Sequence, residues 1–157
     1  MPTRFLPLLA MLLAVPAFAQ LPVETHPNQQ QLLASKDPAL AANKKLVFDF
    51  WREVFQARNV ERAPEFMAES YLQHNPNVPT GRAAFMKFFG QFPKQPVKPT
   101  IDDLVSMVAE GDLVVLGFRR TLPDLQNEGQ TYTTTWFDMF RLENGKIAEH
   151  WDYGTKQ

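Results

Sequence analysis

Two aspartates and a histidine stand where a core strand would ordinarily carry valine or isoleucine. They are Asp138, His150 and Asp152, set among aromatics in the run W-F-D-M-F-R-L-E-N-G-K-I-A-E-H-W-D-Y over residues 136–153. Taking a carboxylate out of water is costly unless something compensates it, so these groups are either paired or line a cavity. A carboxylate in an apolar pocket has its pKa raised toward neutrality, which suits a base acting next to a carbonyl. Two carboxylates that sense each other titrate in separate steps, so one can stay protonated and serve as acid. The plainer alternative puts both aspartates on an edge strand facing water, with Arg141 or Lys146 nearby. His74 is a candidate from further upstream: it ends a brief strand and leads into Asn75-Pro76-Asn77, a loop position where ligand-handling groups often sit.

The elements that must bring these residues together follow from alternation and turn chemistry. Residues 136–153 read as a β-hairpin around Asn144-Gly145. A two-residue type I′ loop pairs Glu143 with Lys146 and sets Asp138 opposite Trp151. A three-residue loop, Glu143-Asn144-Gly145, pairs Leu142 with Lys146 and leaves Gly145 left-handed at a bulge. Side-chain period is two, so the slip decides which residues share a face. The three-residue loop is preferred, because it gathers Trp136, Asp138, Phe140, His150 and Asp152 into one pocket. Phe137, Met139, Ile147, Glu149 and Trp151 then lie on the other face.

Upstream, Leu46, Val47, Phe50, Trp51, Val54 and Phe55 recur at helical spacing over residues 43–58. Asp37-Pro38 suits the start of a separate short helix, and Asn59 is expected to end the long one in the left-handed region. A short helix over 63–67 and a strand over 70–74 follow. Thr80 is expected to cap the next helix, whose buried stripe is Ala84, Phe85, Phe88, Phe89 and Phe92. Pro93, Pro96 and Pro99 make an extended connector. Strands over 100–109, 113–122, 131–141 and 147–153 complete the chain. Helices first, then an antiparallel meander, is the order of an α+β domain. A strongly bent sheet with about three helices on one face leaves a conical cavity between them.

Composition bounds the function. With 16 basic and 17 acidic residues and no basic block, nucleic acid is not expected as a partner. No glycine-rich phosphate loop is present. Residues 1–19 carry Arg4, an apolar stretch and Ala17-Phe18-Ala19, the pattern of an export signal cleaved after Ala19. The mature chain is then periplasmic or secreted, with no membrane span. Residues 20–42 read as an arm or linker, with His26 solvated, 43–153 as the domain and 154–157 as a tail. Cysteine is absent, which removes thiol catalysis and thiolate metal sites. A zinc site from His74, His150 and a carboxylate lacks ligand spacing such as H-x-x-x-H, so no metal is expected.

Four segments carry a resemblance. Tyr71-Leu72-Gln73-His74-Asn75-Pro76, Gly81-Arg82-Ala83-Ala84-Phe85, Phe137-Asp138-Met139-Phe140-Arg141 and the stretch from Gly145 to Asp152 resemble the SnoaL-like polyketide cyclase family. That family belongs to the nuclear transport factor 2-like superfamily, and the resemblance covers residues 43–153. It implies a bent antiparallel sheet around a pocket, three covering helices and frequent dimerisation. It also implies that the aspartate at the place of Asp152 is the acid/base of an aldol closure. Asp138 stands where the cyclases carry a histidine. The His-Asn-Pro and His-Trp-Asp signatures resemble a subgroup of predicted aldol-condensation enzymes.

Together these readings predict a cofactor-free acid/base enzyme acting on a small carbonyl compound, with a non-catalytic ligand binder as the rival. Asp152 is the expected base, and His74 or a protonated Asp138 the group that steadies the enolate oxygen. His150 is expected to orient Asp152 or the substrate. Trp51, Tyr71, Trp136 and Phe140 are expected to supply apolar walls. The outer residues Phe137, Met139, Ile147 and Trp151 lack a covering helix, which predicts a homodimer packed through that face.

Overall fold

The computed structural model describes residues 21–156. The export signal read over residues 1–19, with cleavage after Ala19, lies outside them.

The first helix, α1, runs Pro38–Phe50 and continues without a break as a π-helical turn over Trp51–Gln56. Asp37 caps it by accepting from the Ala39 N–H at 2.8 Å, and Pro38 fills a position that needs no donor. The cap therefore starts the main helix itself, at Pro38 and not near residue 43. Val47, Phe48, Phe50 and Val54 are its buried apolar side chains. The left-handed residue that follows is Arg58, with φ of 62°, not Asn59. Helix α2 is a single turn over Ala63–Phe66, and α3 spans Arg82–Phe89. Thr80 does not cap α3; its Oγ1 accepts from the Gln73 N–H at 2.8 Å, and Gly81 takes the cap position with φ of 93°.

Five strands form one curved sheet: β1 Met67–Gln73, β2 Leu104–Glu110, β3 Leu113–Pro123, β4 Thr131–Glu143 and β5 Lys146–Asp152. Their order is β1-β5-β4-β3-β2. Strands β2 to β5 make the expected antiparallel meander, while β1 joins the edge in parallel beside β5. The chain enters β2 running opposite to β1, and the three reversals of the meander then bring β5 alongside β1 in the same direction. Among the described residues no helix is long and apolar enough to cross a membrane.

The core lies between the helices and the concave face. Phe50 sits at its centre, with ring centroids of Phe66, Phe85 and Phe140 at 6.3, 6.0 and 6.0 Å. Truncating such a side chain to alanine costs roughly 3–5 kcal/mol. The N-terminal arm is docked, not loose. Gln29 is buried and clasps Ile101 through both its amide atoms, each at 2.8 Å, and the His26 N–H donates to Leu104 O.

The hairpin corrects the register in an instructive way. Asn144 and Gly145 both have positive φ, 52° and 70°, so the loop has two residues and Glu143 pairs with Lys146. Leu142 pairs with Ile147, yet Arg141 pairs with Glu149, so Ala148 is an extra residue in β5. Past this bulge Asp138 faces Asp152 and Phe140 faces His150. The predicted inner face is thus reached by a different route. One residue changes sides: Ile147 lies before the bulge and is fully buried in the core, not on the outer face.

Candidate active site

The inner face of β4 and β5 and the end of β1 converge on a cavity of about 170 Å³ beneath α1 and α3. Phe50, Trp51, Phe55, Phe85 and Phe140 give it largely apolar walls, and Tyr71, Gln73, Asn75, Asp138, His150 and Asp152 are its polar lining residues. The π-turn over Trp51–Gln56 sets Trp51 against Phe55, with ring centroids 4.5 Å apart, at the mouth. Such turns often mark functional sites.

The polar groups form one connected array whose proton positions can be deduced. Gln73 Oε1 accepts from the Asn75 N–H at 3.0 Å, which fixes the orientation of the amide. His150 Nδ1, 2.9 Å from the same oxygen, must therefore be a donor. His150 Nε2 lies 2.9 Å from Asp138 Oδ1. It either accepts from a protonated Asp138 or, as imidazolium, donates to the carboxylate; one proton serves the pair in both cases. The two side chains are 9% and 6% exposed. Burial pushes the Asp138 carboxyl above the usual carboxylate range, opposed by the His150 hydrogen bond and reinforced by the nearby Asp152 charge.

Asp152 is held differently. Both its oxygens accept from Asn75 Nδ2 at 2.8 Å, and the Asn75 amide is itself oriented because its Oδ1 accepts from the Asn77 N–H at 2.9 Å. Gly154 packs so close that a β-carbon there would lie 2.8 Å from Asn75 Cγ, so only glycine leaves the asparagine in place. Tyr71 completes the array. Its hydroxyl accepts from Gln73 Nε2 at 3.1 Å, and its own hydrogen is committed to no acceptor among the described residues. Burial, then the charges of Asp152 and Asp138, push the phenol far above its ordinary pKa, so it stays a donor.

Asp138, His150, Asp152, Trp51, Tyr71 and Phe140 thus meet at the cavity. Trp136 lines an adjoining, more open chamber of about 370 Å³, which shares Trp51, Phe55, Asp138 and Asp152 with the first. His74 is not brought there. Its ring stacks on Trp151 at 5.0 Å, Nε2 lies 2.7 Å from Glu149, and the side chain is 45% exposed on the convex face. The physical reason is that Leu72 and Gln73 pair with Glu149 and His150, so the position after Gln73 points away from the cavity. The residues that sequence reasoning missed are Gln73 and Asn75. Their signal was the polar Gln73-His74-Asn75 end of β1, where the middle residue drew attention and its neighbours face inward.

Asp138, His150 and Asp152 each offer a ligand atom, all within 4.8 Å of one another. A cation there would have to replace the Asp138–His150 hydrogen bond and compete with the Asn75 amide for both oxygens of Asp152. The donor set as arranged is satisfied internally and fits proton transfer better than metal ligation. It can hold a shared proton, a carboxylate oriented by the Asn75 amide and a phenol donor around one small, largely apolar space.

The model of the SnoaL-like domain matches residues 47–150. Among solved structures, a candidate polyketide cyclase of Acidithiobacillus ferrooxidans is 20% identical, with a TM-score of 0.54 over 76% of this chain and 90% of that one. A candidate SnoaL-like polyketide cyclase of Jannaschia sp. CCS1 is 21% identical at the same TM-score and coverage. An LEH-like epoxide hydrolase of M. tuberculosis is 13% identical, with a TM-score of 0.52 over 74% of this chain and 84% of that one. No curated protein matches in sequence. At these identities the structural likeness carries the fold alone. The match to the domain model, which spans well over half of the sequence and ends within the site at His150, places the chain in the SnoaL-like domain family.

Proposed function

We propose that the protein is a cofactor-free acid/base catalyst acting on a small carbonyl compound, by aldol-type closure, isomerisation or dehydration. The observation that carries this reading is the buried Asp138–His150 pair opening, beside Asp152, onto a largely apolar cavity. Asp152 removes a proton α to the carbonyl. Tyr71 donates to the developing enolate oxygen, where a fixed donor in a low-dielectric site acts strongly. The proton shared by Asp138 and His150 is then delivered to the leaving or newly formed oxygen. The resemblance of the His-Trp-Asp stretch to aldol-condensation enzymes supports the same chemistry.

The test is exchange of α-hydrogens for deuterium in small aryl ketones, followed by NMR. Asp152→Asn is expected to abolish exchange while leaving the melting temperature unchanged or raised. A large loss of stability would make Asp152 structural. Saturable binding without exchange in the native protein would make the pocket that of a ligand carrier.

Two further features complete the proposal. The protein is exported, on the strength of residues 1–19. It also pairs through its convex face, where Val108, Val115, Met139 and Trp151 form one cross-strand row and Phe137 is 55% exposed. Light scattering at micromolar concentration is expected to give a dimer, and a monomer would overturn the second point.

A further inference from the structure

The outer chamber holds two guanidinium groups that its own carboxylates do not neutralise. Arg119 is matched, donating to Asp103 through Nε at 3.0 Å and Nη2 at 2.6 Å. Asp102 is matched by Lys98 at 2.7 Å. Inside the junction Asp138 is engaged by His150 and Asp152 by the Asn75 amide. Arg58 and Arg120 remain, and neither forms an ion pair with a carboxylate among the described residues. Arg120 lies over the Trp136 ring at 4.4 Å. Arg58 is half-buried, its Nη1 donating to the Phe55 carbonyl and its guanidinium 4.8, 5.2 and 5.5 Å from the ring centres of Phe55, Phe89 and Phe92, which leaves Nη2 and Nε without an acceptor among the described residues. Burial also draws its pKa below the ordinary guanidinium value, because no acidic partner offsets the lost hydration.

The two chambers differ in what they can accept. The inner cavity, about 170 Å³ and largely apolar, matches the size at which a dry protein cavity of about 150 Å³ takes up benzene. We infer that the substrate is an organic acid of two parts, its ring or short chain in the inner cavity and its carboxylate held by Arg58 and Arg120 in the outer chamber. The reacting carbonyl then lies at the junction made by Asp138 and Asp152, where the chambers meet. Arginine suits this role because its planar fork matches a carboxylate. The inference rests on the inner cavity being the seat of the reaction.

The probes are 4-oxo-4-phenylbutanoate and its methyl ester, which share ring and ketone and differ in the charge. Titration calorimetry of the full chain at low salt is expected to show the acid binding about tenfold tighter, the scale of one charge-assisted pair. Arg120→Gln, at an exposed position, is expected to erase that preference, and Arg58→Gln to do the same, each read as the ratio of acid to ester affinity. Equal affinity for acid and ester, failure of both to bind, or a preference that survives the double variant would overturn the inference. Deuterium exchange separates it from the acid/base reading. Preferential binding of the acid without exchange upholds the anion site and removes the catalyst; exchange without preference does the reverse.

Discussion

On the concave side of the β4–β5 hairpin, His150 lies 2.9 Å from Asp138; on the convex side, His74 lies 2.7 Å from Glu149. The residue types are nearly the same and the surroundings are not. The inner pair is almost wholly buried, so loss of hydration dominates and lifts the Asp138 carboxyl. The outer carboxylate has Arg141 at 2.8 Å as well as His74, and hydrogen bonds from these two lower Glu149 instead. A histidine beside a carboxylate is therefore no signature of catalysis by itself. What distinguishes the inner pair is its burial and, among the described residues, the lack of a second cation beside the carboxylate, so that one proton serves both groups.

The sharpest way to break this comparison is to neutralise one carboxylate in each pair. Asp138→Asn is expected to cut dehydration of a β-hydroxy ketone, the step in which the shared proton reaches the leaving oxygen, by about 100-fold or more, the usual weight of a general acid or base, while Glu149→Gln leaves it within about twofold because it touches nothing in the cavity. If both lose activity alike, the inner pair has no special role.

Stability against pH sharpens the contrast, since the two carboxyls shift in opposite directions. Asp138 is raised, so the folded state holds its proton above pH 3.8 and loses stability as that proton leaves. Asp138→Asn is expected to gain in melting temperature relative to the native protein as pH climbs from 3 to 7. Glu149 is lowered, so its contribution is present above pH 4.5 and is lost as pH falls through the folded value. Glu149→Gln is expected to be less stable at pH 7 and equal at pH 3. Parallel trends in the two variants would refute the environmental account.

Gly154→Ala probes the support of the inner site without touching a titratable group. The added methyl meets Asn75, so Asp152 loses its fixed donor, and exchange is expected to fall about tenfold with little change in melting temperature. The smallest effect is expected from His74→Ala. Its pair is exposed, so stability should drop by no more than about 1 kcal/mol in chemical denaturation, with exchange unchanged.

Much of this was legible in the sequence. Alternation placed Asp138, Phe140, His150 and Asp152 on one face, and the aromatic stripe of α1 announced what would cover them. The order of helices and strands gave the fold class. Three features were not legible, for separate physical reasons. Asn144-Gly145 signals a turn but cannot report a bulge beside it, because an alanine in that place carries no preference that alternation can read. The outward turn of His74 is hidden because the parity of a short edge strand is set by its partner, and the parallel pairing of β1 with β5 leaves no local mark. Gln73 and Asn75 act through hydrogen bonds to residues 77 positions away, a relation with no periodicity to detect.

The bulge at Ala148 has a bearing on how this hairpin tolerates changes of length. Because the ladder already skips that alanine, excising it would straighten β5 and still present the same side chains to each side. Removing Trp151 instead would advance Asp152 by one step and turn its carboxylate toward solvent. Loss of a single codon is thus harmless to the geometry at one position and ruinous three residues later.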